Sequence, residues 1–210
     1  NKLVLVRSAY SGRNIEVECL KNAIPYIFIG GQKLFESAHI RDLLSLLRLS
    51  SNYKDELAWL RFLTLFYGVG GVGANRVIQK IITCSDKSEV IEILNAMLNE
   101  NCGIIETYQK LQSVDSLQES IDIAVQFLDE LLMYKYGVAD WQTRKSDFVF
   151  LKQLANDFST ITEFCEEFLL NPVFSTSSER ETDRSTRSLR MVVSSSESSR
   201  ADSNTGKMIC

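Results

Sequence analysis

The sequence is poor in residues that mark several common classes of protein. Among 210 residues there are two prolines and one histidine, and the five cysteines are scattered without a Cys-x-x-Cys pair. A single histidine argues against a His-rich metal site. An odd, unpatterned set of thiols is typical of a reducing compartment and not of a disulfide framework. We therefore expect free cysteines, no bound metal and a cytoplasmic location.

Long apolar runs and a strong net charge are also missing. The longest apolar stretch, Leu57 to Ala74, is interrupted by Arg61 and by four glycines, whereas a membrane-spanning helix needs about 20 apolar residues. The net charge of −4 argues against binding nucleic acid by bulk charge alone, but it allows a small local contact. Because the chain starts with Asn1 and not with Met, we expect it to be a piece of a longer protein.

The first 50 residues combine strand and helix signals. Lys2 to Arg7 and Tyr26 to Ile29 are short apolar runs of the buried-strand type, and Asn14 to Asn22 between them has helical spacing. Strand, helix, strand predicts a βαβ unit with a parallel pair of strands and a right-handed crossover. The expected fold is therefore an α/β piece at the N-terminus.

A mainly α-helical domain is predicted to follow, over residues 51–172. Ile40, Leu43, Leu44 and Leu47 already form one apolar stripe, and the pattern stays helical to Leu170. Further helices are predicted over residues 57–65, 90–98, 104–111, 117–136, 148–158 and 161–170. Ser116 and Glu119 have the spacing of a capping box at the start of the longest helix.

The composition changes again from Val173 onward. The last 38 residues contain eleven serines, Phe174 as their only aromatic residue, and few apolar side chains. Such a segment buries too little surface to offset the entropy of ordering it. The sequence therefore predicts a disordered Ser/Arg-rich tail over residues 173–210.

The most informative stretch is the glycine-rich segment between Tyr67 and Ile81. A predicted helix leads into glycines at positions 68, 70, 71 and 73, and a second helix is expected to start near Ala74. This order is typical of a helix-hairpin-helix, in which glycines allow a phosphate to approach the backbone and the following helix offers free N–H groups. The alternative is a turn between two helices that binds nothing. The aromatic residues nearby, Trp59, Phe62, Phe66 and Tyr67, are expected in the core.

Two other residues are weaker candidates for a site. His39 lies at a predicted helix start with no nucleophile or metal partner at a recognisable spacing, which favours a histidine that bonds to local backbone or carboxylate. Arg7 directly follows the first strand, where α/β folds place functional residues, although strand-end arginines commonly form surface ion pairs. A small α/β enzyme that uses His39 or Arg7 is therefore an alternative hypothesis.

Three sequence blocks occur in an order that resembles one protein family. The first is Leu3 to Ser8 (LVLVRS) with Ser11, Arg13 and Glu16; the second is Ile24 to Gly31 (IPYIFIGG) with Phe35 to Leu49; the third is Asn52 to Arg61 leading into Gly71-Val72-Gly73. Together they resemble the second motor domain of UvrD/Rep/PcrA-type superfamily 1 DNA helicases. The resemblance is specific over residues 1–81 and only architectural over residues 82–172.

The resemblance implies a fold, an activity and a set of site residues. Residues 1–50 would be part of the RecA-like subdomain 2A, and residues 51–172 would be the helical 2B insertion, whose hairpin grips duplex DNA near a single-strand junction. The parent protein would be a 3′-to-5′ DNA helicase that uses ATP and Mg²⁺ in repair or replication. The implied DNA-binding residues are Gly71, Val72, Gly73, Ala74, Arg76 and Lys80, and the motor-segment candidates are Arg7, Arg13 and His39.

The sequence departs from the family pattern in two places. It has no Gly-x-x-x-x-Gly-Lys-Ser/Thr phosphate loop, and the Thr-x-His-x-Ala-Lys-Gly block expected after the insertion is replaced by the Ser/Arg-rich tail. We therefore expect this chain to bind no cofactor and to hydrolyse no ATP. Its expected partners are DNA and the missing motor domain of the same protein, with no membrane. The alternative function is a helical protein–protein interaction module without a direct DNA grip.

Overall fold

A small parallel sheet and nine α-helices make up the part of the chain that the structure describes. The structure, a computed structural model, describes residues 2–29, 31, 33–98, 102–170 and 189–193. The chain divides into two units, Asn1–Lys33 with Glu179–Cys210, and Leu34–Ser178. The predicted combination of an α/β piece and a mainly helical domain is confirmed at this level.

The first unit contains three parallel strands and one helix. Strands β1 (Lys2–Val6) and β2 (Tyr26–Ile29) flank β3 (Leu189–Val193), so the strand order is β1-β3-β2. Helix α1 (Ala9–Lys21) connects β1 to β2, and the Ser8 side chain caps it by accepting a hydrogen bond from the Ser11 backbone N–H. The predicted strand–helix–strand order is confirmed, but the predicted direct pairing of β1 with β2 is wrong because β3 lies between them.

Strand β3 also corrects the prediction for the C-terminal segment. The sequence predicts disorder throughout residues 173–210, yet Leu189–Val193 forms the central strand of the sheet. Met191 faces Val4 on one side and Phe28 on the other, and its side chain is fully buried. Five residues among many serines give a weak strand signal, and the strand gains its stability from two neighbours that lie far away in sequence. Residues 171–188 and 194–210 lie outside the described part of the chain.

The second unit is helical. Its helices are α2 (Ala38–Ser51), α3 (Glu56–Leu63), α4 (Gly71–Ile82), α5 (Lys87–Met97), α6 (Cys102–Gln112), α7 (Leu117–Tyr136), α8 (Val138–Ala155) and α9 (Ile161–Leu170). The predicted bounds of α7 and α9 are confirmed. Ser116 caps α7 by accepting a hydrogen bond from the Glu119 N–H. Helix α8 starts at Val138 and not at Phe148, directly after Gly137 with its φ of +78°.

Helix α2 is the centre of this unit and packs against α3, α6, α7, α8 and α9. Sequence periodicity predicts one apolar stripe on α2, but the helix is buried almost all round, including Leu46 and Leu49 outside that stripe. A helix enclosed in this way belongs to the interior of the helical unit. The boundary therefore falls between Lys33 and Leu34, one helix before the predicted position at residue 50.

Among the described residues, no helix combines the length and the apolar character that crossing a bilayer requires.

We predict that Met191 holds the sheet of the first unit together. Met191→Ala removes a fully buried side chain, a change that typically costs about 2–5 kcal/mol of stability. Trypsin should then cleave after Arg190 much faster than in the unchanged chain, as measured by mass spectrometry over time. Leu5→Ala is the matched control, because Leu5 lies in the same sheet but is 73% exposed. If Arg190 in the unchanged chain is cleaved as fast as in an unfolded peptide, β3 is not a stable strand.

Candidate nucleic-acid interface

The glycine-rich segment forms a loop followed by a helix whose first turn contains two of the glycines. Helix α3 ends at Leu63 and α4 begins at Gly71, three residues before the predicted start at Ala74. Gly71 and Gly73 are therefore helical and not part of a hairpin loop. Within the loop, Gly68 has a φ of +83°, a conformation that favours glycine.

Aromatic packing fixes the end of α3 and the start of this loop. The Phe66 ring lies 5.5 Å from the Phe62 ring and 5.5 Å from the Phe127 ring of α7. Trp59 packs 5.1 Å from Tyr108 of α6 and is fully buried. Trp59, Phe62 and Phe66 lie in the core as predicted, and Phe66 is partly buried. Tyr67 does not, because its side chain is 100% exposed.

Helix α4 has one buried face and one exposed face. Ala74, Val77, Ile78 and Ile81 are buried against the unit. The exposed residues recur at helical spacing on the other side and are Val72, Asn75, Arg76, Gln79, Lys80 and Thr83. This face therefore carries polar and basic side chains that the packing of the unit does not use.

The N-terminus of α4 offers free hydrogen-bond donors. The N-cap residue is Gly70, which has no side chain to cap the helix, and the backbone N–H groups of the first turn have no partner within a helix. Ala74 is an exception among the predicted contacts. Its N–H donates to the Gly70 carbonyl at 2.9 Å and its side chain is fully buried, so Ala74 is removed from the predicted set of DNA contacts.

The glycines at this end of α4 are not required by the fold. A Cβ atom built on Gly70, Gly71 or Gly73 meets no atom within 4 Å, and none of the three has a positive φ. Gly73 is helical and has no positive φ, so a side chain at this position causes no backbone strain. What these glycines provide is a bare backbone at an exposed helix end, where another molecule can approach closely.

The chain segment that contains α4 carries no acidic residue. The sequence from Leu57 to Ser85 contains no Asp or Glu, although the whole chain has 27. Arg76 and Lys80 are exposed, and neither forms an ion pair with any described residue. They line an open groove together with Val72, Asn75, Gln79 and, from the end of α5, Met97. N–H donors beside unneutralised cations suit an anion such as a phosphodiester.

Two of the motor-segment candidates lie in the first unit, in different environments. Arg7 is exposed directly after β1. Arg13 is buried on α1, and its Nη1 lies 2.6 Å from Glu16 Oε2, while Glu16 Oε1 accepts a hydrogen bond of 2.7 Å from the Tyr26 hydroxyl. Burial, together with the Glu16 charge, raises the pKa of Tyr26, so the hydroxyl stays protonated as a donor. This network ties α1 to β2.

The third candidate, His39, is a core residue of the helical unit. It is 1% exposed, its Nε2 lies 3.1 Å from Asp147 Oδ2 of α8, and the rings of Trp141 and Phe148 pack edge-on against it. This agrees with the interpretation of a helix-entry histidine bonded to a carboxylate. A side chain so buried does not reach a substrate, which leaves the hypothesis of an enzyme using His39 without support.

The thiols described by the structure are buried and unpaired. Cys19, Cys84 and Cys165 are free, as expected. Burial raises the pKa of each, that of Cys165 to about 12, which keeps them protonated and unreactive. Within the described ranges, no group of three or more His, Cys, Asp or Glu side chains is arranged to hold a metal ion.

Sequence reasoning missed three residues of this surface: Tyr67, Asn75 and Gln79. Helical spacing could have identified Asn75 and Gln79. Residues three and four positions apart share a helix face, and this places both beside Arg76 and Lys80. Tyr67 gave no such signal, because the sequence does not show which way its side chain faces.

Comparison with known proteins places the chain in a family. The model of the UvrD-like helicase C-terminal domain matches residues 1–205, a range that includes β3. A protein named ATP-dependent DNA helicase PcrA from Staphylococcus epidermidis (strain RP62A) is 26% identical over 171 residues, covering 78% of this chain and 23% of that protein. The protein of the same name from Staphylococcus aureus (strain Mu50) gives the same identity and coverage.

The chain therefore spans about a quarter of the length of these relatives. Since the family model covers nearly every residue, the protein belongs to the family of UvrD-like helicase C-terminal domains.

Proposed function

We propose that this chain is part of an ATP-dependent 3′-to-5′ DNA helicase of repair or replication, and that its helical unit contacts duplex DNA. The family and the names of the PcrA relatives support the helicase activity. ATP and Mg²⁺ belong to the complete protein, because this chain lacks a phosphate loop. Its remaining partners are DNA and the motor domain that lies outside these residues.

The N-terminus of α4 is the proposed point of contact with a DNA phosphate. The backbone N–H groups of Gly71, Val72 and Gly73 point out of the first turn, and the positive end of the helix dipole favours an anion there. With no side chain on Gly71 or Gly73, a phosphate oxygen can reach hydrogen-bonding distance. Helix α3, the loop and α4 would then act together as a helix-hairpin-helix.

The two cations extend this contact along the helix. Arg76 and Lys80 follow one and two turns after Val72 on the same exposed face. Both would meet phosphates next to the one held by the helix end. Such contacts carry no sequence information, and their small number predicts weak, salt-dependent binding.

The observation that carries this proposal is that the fold does not require a glycine at position 73. In a helix, glycine is less favourable than alanine by about 1 kcal/mol, so a glycine that the fold does not need calls for an external reason. A competing function, a protein-docking module, is favoured by the net charge of −4 and by Val72, which is 72% exposed. The two functions differ in what a small side chain at position 73 would do.

We predict that Gly73→Ala weakens duplex binding several-fold without reducing stability. The added methyl group meets nothing inside the protein and improves helix propensity, but it stands where the phosphate must approach. Affinity is measured by fluorescence anisotropy with a labelled hairpin duplex at two salt concentrations, and stability by thermal unfolding. Gly103→Ala is the control, because Gly103 is also exposed in the first turn of a helix, α6, and a Cβ there makes only an ordinary contact of 3.8 Å with the Phe66 ring. If Gly73→Ala binds DNA with wild-type affinity at both salt concentrations, the glycines do not contact a phosphate, and the docking module is favoured.

We predict that Lys80→Ala and Arg76→Ala each reduce the salt dependence of binding. Loss of one phosphate contact lowers the slope of log K against log salt by about 1. Lys110→Ala serves as the control, since Lys110 is an exposed lysine on α6 without an ion pair among the described residues. An unchanged slope in both variants would exclude these side chains from the DNA contact.

We predict that the chain of residues 1–210 does not hydrolyse ATP, with or without DNA, because no phosphate loop is available to hold the nucleotide. A coupled assay for phosphate release tests this. Hydrolysis that rises in proportion to chain concentration and persists through further purification would contradict it.

A further inference from the structure

Tyr67 is held in an unusual position for an aromatic residue. Its ring is 100% exposed, the highest value among the large apolar side chains of the described residues. The backbone around it is nevertheless fixed. Phe66 anchors the loop in the core, the Val69 N–H donates to the Phe66 carbonyl at 3.3 Å, and Gly68 turns the chain with a φ of +83°.

This exposure contributes nothing to the stability of the fold. A ring without protein neighbours gains no packing energy and leaves its apolar surface in water. The fixed backbone means that the ring is presented from a defined point and not from a mobile chain end. The ring is therefore available to a partner outside this chain.

The location of Tyr67 indicates which kind of partner. It precedes Gly71 by four residues, so the two backbones lie no more than about 14 Å apart. No acidic residue occurs between Leu57 and Ser85, and Arg76 and Lys80 supply positive charge on the adjoining face of α4. An anionic partner with flat apolar surfaces matches these features, and nucleic acid has both.

Base pairing decides where such a ring can bind. Aromatic side chains stack on bases with little sequence preference. In an uninterrupted duplex each base is already stacked on its neighbours, so its faces are accessible only at an end or in an unpaired strand.

We infer that Tyr67 stacks on an unpaired or terminal base at a single-strand junction, beside the phosphate held by the start of α4. The inference rests on the proposed DNA contact and adds to it a preference for junctions over continuous duplex. The phosphate contact alone gives no such preference, because the backbone of a duplex offers phosphates everywhere.

The test compares Tyr67→Ala, Tyr67→Phe and the control Tyr134→Ala, whose parent residue is 94% exposed on α7. The DNA probes are a duplex with a single-stranded 3′ tail and a relaxed, covalently closed circular duplex. We expect Tyr67→Ala to bind the tailed duplex about five-fold or more weakly, the lower limit for loss of one aromatic–base stack. Its affinity for the closed circle should not change. Tyr67→Phe keeps a ring, and both it and Tyr134→Ala should behave like the unchanged protein.

A second readout reports stacking directly. With 2-aminopurine at the first unpaired position of the tailed duplex, the unchanged protein and Tyr67→Phe should alter its fluorescence on binding, and Tyr67→Ala at saturating concentration should not. Equal weakening on both DNAs by Tyr67→Ala would instead indicate a backbone contact and overturn the stacking role.

The outcomes separate this inference from the proposed function. If Gly73→Ala and Arg76→Ala weaken binding while Tyr67→Ala leaves the tailed duplex unaffected, only the stacking role fails. If none of the three variants changes affinity, the DNA contact at α4 fails as well. Because Tyr67 packs against nothing, Tyr67→Ala should keep the helical circular dichroism signal, which checks that any loss comes from the contact itself.

Discussion

The enclosure of α2 is the constraint on which the helical unit depends. A helix enclosed on nearly every side needs its buried charged groups paired, because an unpaired charge in the interior is costly. Asp42 Oδ1 lies 2.6 Å from Arg61 Nε, Arg48 Nε donates to Asp55 Oδ2 at 2.7 Å, and His39 meets Asp147. Arg61 lies on α3, and Asp55 is its N-cap residue. Pairing the charges of α2 therefore also fixes where α3 begins and which way it faces.

The position of the candidate DNA interface follows from this arrangement. Arg61 Nη2 also donates to the Ala38 carbonyl at 3.0 Å, so α3 is tied to the first turn of α2. The end of α3 is then held by Phe62 and Phe66, and the loop that follows delivers α4 with its apolar face inward. Residues on the buried side of α4 and residues before its start hold the helix in place. The exposed face and the N-terminal turn are left without a structural role, which frees their composition for binding.

Local signals explain what sequence reasoning achieved and where it failed. The bounds of α7 were predictable because Ser116 and Gly137 mark its two ends, and the buried face of α4 was predictable from Val77, Ile78 and Ile81. Strand β3 was missed because its stability comes from β1 and β2, which local composition does not report. The burial of α2 on nearly every side was missed for the same reason, since it depends on five helices that follow it. At the candidate site, the glycines and basic residues of α4 could be identified from the sequence. The exposure of Tyr67 and the hydrogen bond from the Ala74 N–H to the Gly70 carbonyl could be seen only in the structure.

Charge is unevenly distributed along the chain. The whole chain carries −4, whereas the charged side chains between Leu57 and Ser85 are all positive, so an anion is attracted to this segment more than to the rest of the chain. A few phosphate contacts give weak binding by themselves. In a longer protein that holds DNA at another site, such a contact becomes intramolecular, and its effective concentration rises to the millimolar range for a short connection. If α4 contacts DNA as proposed, weak affinity is then sufficient for engagement, and it allows fast release.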